Sequence, residues 1–348
     1  MPISGAPLAV LIVILVLLVL AVVRTAIVIR LARKYPEPRW NWEELKDAPR
    51  FPPGFTWGVA AAAHQVEGGN DNNQWSEWEK QVDKKGRPRI RDGHVAGSAC
   101  EHWTRYEEDI ALMKELGVSA YRFSVEWSRI EPKEGEWNEE ALEHYSKVID
   151  ACLREGIEPM VTFLHFTHPI WFDELGAFEK EENIRFFVRF CEKVFTAYSD
   201  RVKLWCTINE PEVVSLTGYL LGLFPPGAHS PRRTAVVMRN LLLAHARAYH
   251  AVKALPGGDE AQVGLVKNIF QFDPFRRWAL LDWAVARLAH RFYNGAILDY
   301  LRTGVFSLRI PGLCWYRRED PEVKLSGDYM GLNYYSHMNV VVQASLTA

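Results

Sequence analysis

The first long apolar run of the chain is also its purest: Ala6–Val23 reads APLAVLIVILVLLVLAVV without a charge. Arg24 interrupts it, TAIVI follows over Thr25–Ile29, and RLARK closes the stretch. About 20 apolar residues at 1.5 Å rise per residue match a bilayer core, so the pattern predicts one transmembrane helix. An apolar circumference at a chain terminus argues against a buried core helix. A cleaved signal peptide carries its basic residues ahead of a shorter apolar run, whereas Arg24, Arg30, Arg33 and Lys34 all lie on the carboxyl side. The positive-inside rule then places the following domain in the cytoplasm. Residues 1–34 read as a membrane anchor with a basic flank. Residues 35–50, rich in Pro, Trp and charge, read as a juxtamembrane linker with Trp40 and Trp42 at the lipid interface.

From residue 51 the pattern becomes an alternation of short β-type runs and amphipathic helices. Strands are expected at 56–60, 119–124, 158–164, 203–208, 262–268 and 329–333. Helices are expected at 102–116, 139–155, 182–198, 232–254 and 279–302. In the first of these, Tyr106, Ile110, Met113 and Leu116 recur at helical spacing and Gly117 supplies the stop. Short strands alternating with longer helices imply a parallel sheet. Polar and aromatic clusters gather at the carboxyl ends of the strands, where (β/α)8 barrels place their active sites. The fold class is therefore α/β, a (β/α)8 TIM barrel represented by about its first six βα units, with residues 51–348 as the barrel domain. YYSHMNVVVQASLTA, after Asn333, is too short for the two further units of a closed barrel, so the barrel is expected to be incomplete at its carboxyl end.

Composition changes this picture little. A net charge of -2 with 24% charged residues offers no concentrated basic surface for nucleic acid. Five widely spaced cysteines, without CxxC or Cys/His pairs, read as reduced and mostly buried thiols rather than as a zinc site or a disulfide framework. Thirteen tryptophans suit either a sugar-binding cleft or the core of a large barrel.

The sharpest chemical signal is Thr207-Ile208-Asn209-Glu210-Pro211, following the apolar strand VKLWC. A carboxylate at a strand end in a cleft suits general-acid work when burial raises its pKa; taken alone, the same residues are an ordinary polar turn. Four other segments stand beside it: Phe51-x-x-Gly54-Phe55-x-Trp57-Gly58 running on to Gln65-Val66-Glu67-Gly68, Tyr121–Ile130 (YRFSVEWSRI), Phe163-Leu164-His165 with Pro169-x-Trp171, and Gly331-Leu332-Asn333-Tyr334-Tyr335.

These five motifs, in this order, resemble those of glycoside hydrolase family 1, the β-glucosidase and β-galactosidase type. The resemblance implies a retaining β-glycosidase hydrolysing β-D-glucosides or galactosides, with Glu210 as acid/base. It implies substrate contacts from Asn209, Gln65, His165, Asn268, Asn333 and Tyr335, with Arg122, Asn333 and Tyr335 around the nucleophile. An Arg beside a carboxylate keeps it ionised, and neutral amides hold hydroxyls without disturbing the charges. Glu67 and Glu126 are expected to be structural. Phe166-Thr167-His168 replaces the Trp-Asp-Leu of many members, so substrate preference does not transfer.

Retaining hydrolysis needs a second carboxylate about 5–5.5 Å from the first. The family carries it in a Thr/Ser-Glu-Asn-Gly motif on the seventh strand; no Glu-Asn-Gly occurs here, and the last carboxylate side chain is Asp328. Two alternatives stand beside the hydrolase: a truncated or pseudoenzyme form that retains only binding, and a membrane glycosyltransferase of the same family acting on glycolipid. The expected partners are a β-glycoside or glycolipid and the bilayer that holds the N-terminal helix. No cofactor or metal and no nucleic acid is implied.

Overall fold

The computed structural model describes residues 5–37, 43, 51–310 and 312–343. Trp40 and Trp42, with most of the expected linker, lie outside the described residues. The chain forms two compact units. The larger comprises Gly54–Ile269 and Phe292–Tyr334; the smaller comprises Met1–Pro53, Phe270–Arg291 and Tyr335–Ala348.

In chain order the strands are β1 (Gly58–Ala61), β2 (Ala120–Ser124), β3 (Glu158–Leu164), β4 (Leu204–Asn209), β5 (Gln262–Asn268), β6 (Gln271–Pro274), β7 (Val305–Ile310), β8 (Cys314–Glu319), β9 (Tyr329–Asn333) and β10 (His337–Val340). The helices are α1 (Gly5–Lys34), α2 (Ala63–Val66), α3 (Gln74–Glu79), α4 (His102–Leu116), α5 (Trp127–Ile130), α6 (Glu139–Arg154), α7 (Ile170–Glu174), α8 (Ile184–Tyr198), α9 (Pro211–Tyr219), α10 (Pro231–Ala254), α11 (Leu280–His290) and α12 (Ala296–Thr303).

The larger unit is built on a six-stranded sheet of order β1-β2-β3-β4-β5-β9, parallel throughout. This is the half-barrel that the alternating pattern predicts. Its central strands are buried almost end to end, as β3 and β5 show, which is how strands covered on both faces read. Gly264 allows β9 to lie close: a Cβ there would come within 2.4 Å of the Tyr329 carbonyl oxygen.

The helices start where their capping residues dictate. The Asn138 side chain accepts the Ala141 N–H ahead of α6, and Ser230 accepts the Arg233 N–H ahead of α10, with Pro231 in the first turn. On α6 the buried Leu142, Tyr145, Ile149 and Cys152 recur at three- and four-residue spacing, one face packing inward. Trp127 stacks on Phe190, ring centroids 4.9 Å apart, and Phe163 on Trp205 at 5.1 Å, so several of the tryptophans serve the core.

The structure departs from the sequence pattern after β5. The single helix expected over 279–302 is broken: α11 ends at His290, a π-helical turn spans Arg291–Gly295, and α12 follows. Inserted π turns interrupt helices in this way. The second departure is an antiparallel hairpin of β7 and β8 between α12 and β9. Its strands, VFSLRI and CWYRRE, are short and half exposed, and the charges of the second mask its alternation. In the smaller unit β6 and β10 pair in parallel and α11 packs on both.

Candidate active site

The geometry begins with an irregularity in β4. Its pairing with β5 slips between Cys206 and Asn209, and a bulge of this kind re-aims the side chains that follow it. Glu210 then takes φ 50° and ψ 63°, left-handed backbone that costs a non-glycine residue of order 1–3 kcal/mol and clusters at functional sites. Its N–H donates to the Val266 carbonyl at 2.7 Å, and Pro211 opens α9 directly after it.

The Glu210 side chain is buried, and two amides converge on one of its oxygens. Asn333 Nδ2 donates to Oε1 at 2.6 Å and Asn268 Nδ2 at 3.2 Å. The Tyr293 hydroxyl donates to Asn268 Oδ1 at 2.8 Å and so fixes that amide. Asn209 Oδ1 accepts from Arg122 Nη2 at 2.7 Å and from Asn333 Nδ2 at 3.4 Å. Arg122 is itself held by Nε donating to Thr162 Oγ1 at 2.9 Å. Five expected site residues, on or directly after β2, β4, β5 and β9, thus share one hydrogen-bonded cluster.

Gln65 and His165 line a cavity of about 320 Å³ with Trp75, Phe166, Thr167 and Phe224, a volume at the lower end of small-ligand sites. Burial, with the Arg122 charge adding to it, pushes the His165 imidazole down to about 3. His165 is therefore a neutral hydrogen-bonding group near pH 7. Phe166, the next residue, is also left-handed with φ 74°, a second strained position on this rim. Tyr335 opens the returning segment of the smaller unit and is exposed there.

Glu67 and Glu126 are both buried. Glu67 accepts from the Tyr145 hydroxyl at 2.7 Å, Asn70 Nδ2 at 3.0 Å and Arg129 Nε at 3.1 Å. Burial pushes its carboxyl up to about 7. Glu126 accepts from the hydroxyls of Ser128 at 2.7 Å and Thr167 at 2.8 Å, tying the end of β2 to the segment after β3. His168 is a local contact, its Nε2 lying 3.0 Å from Asp173 Oδ1.

Sequence reasoning missed a buried ion pair behind Glu210. Lys267 Nζ lies 3.4 Å from Glu212 Oε1, and neither side chain is exposed. Glu212 accepts the Asn268 N–H, while Lys267 donates to the carbonyls of Asn268 at 2.7 Å and Tyr293 at 3.1 Å. Burial pushes Glu212 up to about 7 against the pull of Lys267, and lowers Lys267. A lysine inside the apolar run QVGLVKN was the available signal. Tyr293 gave none.

Residues 47–346 match the sequence profile of glycosyl hydrolase family 1. β-Glucosidase A of Thermotoga maritima is 33% identical over 297 residues, 82% of this chain and 66% of that protein. The structure is similar to a β-glycosidase from Pyrococcus horikoshii, with a TM-score of 0.71 and 37% identity over 82% of this chain and 63% of that one. A Thermotoga maritima β-glucosidase in complex with castanospermine gives a TM-score of 0.74 and 32% identity over 83% and 66%. The chain thus spans about two thirds of the length of these relatives, whose fold is the TIM barrel, and it belongs to glycosyl hydrolase family 1.

Proposed function

We propose that this chain carries the acid/base part of a retaining β-glycosidase acting on β-D-glucosides or galactosides. The observation that supports it best is the setting of Glu210. Both amide donors land on Oε1, so a carboxyl proton belongs on Oε2, from which it can pass to a glycosidic oxygen. Asn209 has its Oδ1 occupied by Arg122 and Asn333, which turns its Nδ2 to the sugar 2-hydroxyl. Gln65 and neutral His165 hold glycone hydroxyls from the cavity wall, and Asn268 orients Glu210. Arg122 and Asn333 stand beside the attacking carboxylate, which the retaining reaction requires about 5–5.5 Å from the acid. The relatives that are β-glucosidases favour glucosides as the first substrate class to test.

The anchoring of the chain belongs to the same proposal. Helix α1 holds, within Ala9–Lys34, a stretch long and apolar enough to cross a bilayer, and its basic residues follow the uncharged run that ends at Val23. Residues 1–34 anchor the protein, residues 35–50 link, and the barrel domain over 51–348 faces the cytoplasm.

The test is hydrolysis of aryl and alkyl β-glucosides by the full chain in detergent micelles. Replacing Glu210 by Gln should slow cleavage of the poorly activated alkyl glucoside by about 10²–10⁴-fold, the usual worth of a general acid. An unchanged rate would remove Glu210 from the reaction. If the wild-type chain turns nothing over, calorimetry with a glucose-like iminosugar decides. Binding lost in Gln65→Ala and His165→Ala supports the binding-only form, and no binding overturns the site.

A further inference from the structure

Residues 270–291 leave the larger unit between β5 and α12 and join α1 in the smaller one. Their helix, α11, has a firm inner side. Asp282 is buried and accepts two hydrogen bonds from the Arg276 guanidinium, both at 2.8 Å, and one from the Val342 N–H at 3.0 Å. Trp283 is buried beside it, its indole N–H donating to the Arg277 carbonyl at 2.9 Å.

The other side of this segment is apolar and open. Phe275, Trp278, Leu281 and Leu288 are 67%, 61%, 58% and 44% exposed, and the two leucines lie seven residues apart, on one stripe of α11. An apolar stripe of this size on a helix whose opposite face is already packed calls for a cover.

Its position against α1 says which cover. The uncharged run Ala6–Val23 spans ~27 Å at 1.5 Å per residue, about one bilayer core. Arg24, the first charge after it, therefore marks the core boundary. Arg24 Nη2 donates to the Trp278 carbonyl at 2.9 Å, and its guanidinium lies 5.9 Å from the Trp278 ring. Trp278 thus sits level with that boundary, where interfacial tryptophans concentrate. Just past the end of α1, the Arg277 guanidinium donates to the Tyr35 carbonyl and Arg287 Nη2 to the Tyr35 hydroxyl at 3.4 Å. The segment follows the last turns of α1 through the headgroup depth. Residues 24–34 and 270–291 hold Arg24, Arg30, Arg33, Lys34, Arg276, Arg277, Arg287 and Arg291 against Asp273 and the buried Asp282.

We propose that Phe275–Leu288 is a second, monotopic membrane contact: Phe275, Trp278, Leu281 and Leu288 enter the headgroup–acyl boundary of a bilayer rich in anionic phospholipid, and the flanking arginines meet its headgroups. Apolar insertion framed by basic residues is how interfacial helices bind such surfaces. The inference rests on α1 being an anchor.

Full-length protein in phosphatidylcholine–phosphatidylserine vesicles separates the two ideas. Flotation that survives an alkaline wash reports α1. Tryptophan quenching by lipids brominated on the acyl chain reports the second contact. Quenching should be smaller in Trp278→Phe than in wild type, and the difference should shrink when Leu281 and Leu288 are both replaced by Glu or phosphatidylserine is omitted. If the protein floats but wild type and Trp278→Phe are quenched alike, with Trp278 reached by aqueous acrylamide, the contact is overturned and the anchor stands. A Trp278 shielded from both quenchers would show a protein cover and also overturn it. Bromolipid quenching of Trp278 without wash-resistant flotation would leave the surface as the membrane contact and remove the anchor. Neither signal would remove both.

Discussion

A histidine in water changes charge near pH 6.5, in the middle of the range where most hydrolases work. His165 escapes this because burial and the Arg122 charge disfavour its cation, pushing it down to about 3. The folded protein thus holds a neutral ring that the unfolded chain would protonate below pH 6.5. The sign follows from linkage: the stability this group contributes is present above pH 6.5 and is lost as pH falls through about 3. In protein labelled with ¹⁵N histidine, the His165 ring resonances should stay fixed from pH 8 to pH 4. A midpoint near 6.5 would show a solvated ring unfit for a dry sugar pocket. Removing the nearby cation in Arg122→Met should move the His165 transition upward. At this scale the hydrogen-bonded cluster was legible where a motif named the residue, as for Glu210, Asn209, Asn333 and Arg122. The hydroxyls of Thr162 and Tyr293, which merely hold Arg122 and Asn268 in place, carried no pattern of their own.

Between elements, the contact that matters most for the acid is the buried pair joining α9 to β5. Glu212 and Lys267 are fully buried, and Glu212 also takes the N–H of Asn268, whose side chain reaches Glu210. A buried ion pair adds little net stability, but removing one member leaves an uncompensated charge that costs about 3–5 kcal/mol. Lys267→Met should therefore destabilise the protein strongly. Adding Glu212→Gln, which keeps an oxygen for the Asn268 N–H, should recover much of the loss in urea unfolding. If the two effects simply add, the residues are not coupled. The pair escaped sequence reasoning because a lysine in a strand ordinarily marks an exposed edge, and here it sits in the interior. The six strands of the sheet were legible because continuous apolar runs separated by long amphipathic helices admit few other folds. The β7–β8 hairpin was not: WYRRE has four polar or half-polar residues in five, and pairing with VFSLRI depends on contacts far from either run.

For the larger unit as a whole, burial is graded across the sheet. β3, β4 and β5 lie in its middle and are almost wholly enclosed. β1 and β9 close its ends, and among the described residues neither has a second neighbouring strand. On β9, Met330 and Leu332 are 37% and 61% exposed, and Leu112 and Leu116 of α4 are also open. Leu116, at the end of the stripe expected to face the core, lies outside it for this reason: α4 follows β1 in the chain, where the covering layer runs out. Unpaired edge groups beside apolar side chains form a template for pairing with another chain. The chain in detergent micelles should therefore self-associate through its β1 and β9 edges as its concentration rises. Leu332→Lys, which puts a charge on the exposed edge strand, should shift light scattering and size-exclusion profiles towards the single chain while leaving circular dichroism unchanged. A wild-type chain that stays monomeric at tens of micromolar (~10–100 μM, the range in which such edges aggregate) would mean that something covers these edges. Protection of β9 amides in hydrogen exchange would then show where that cover lies.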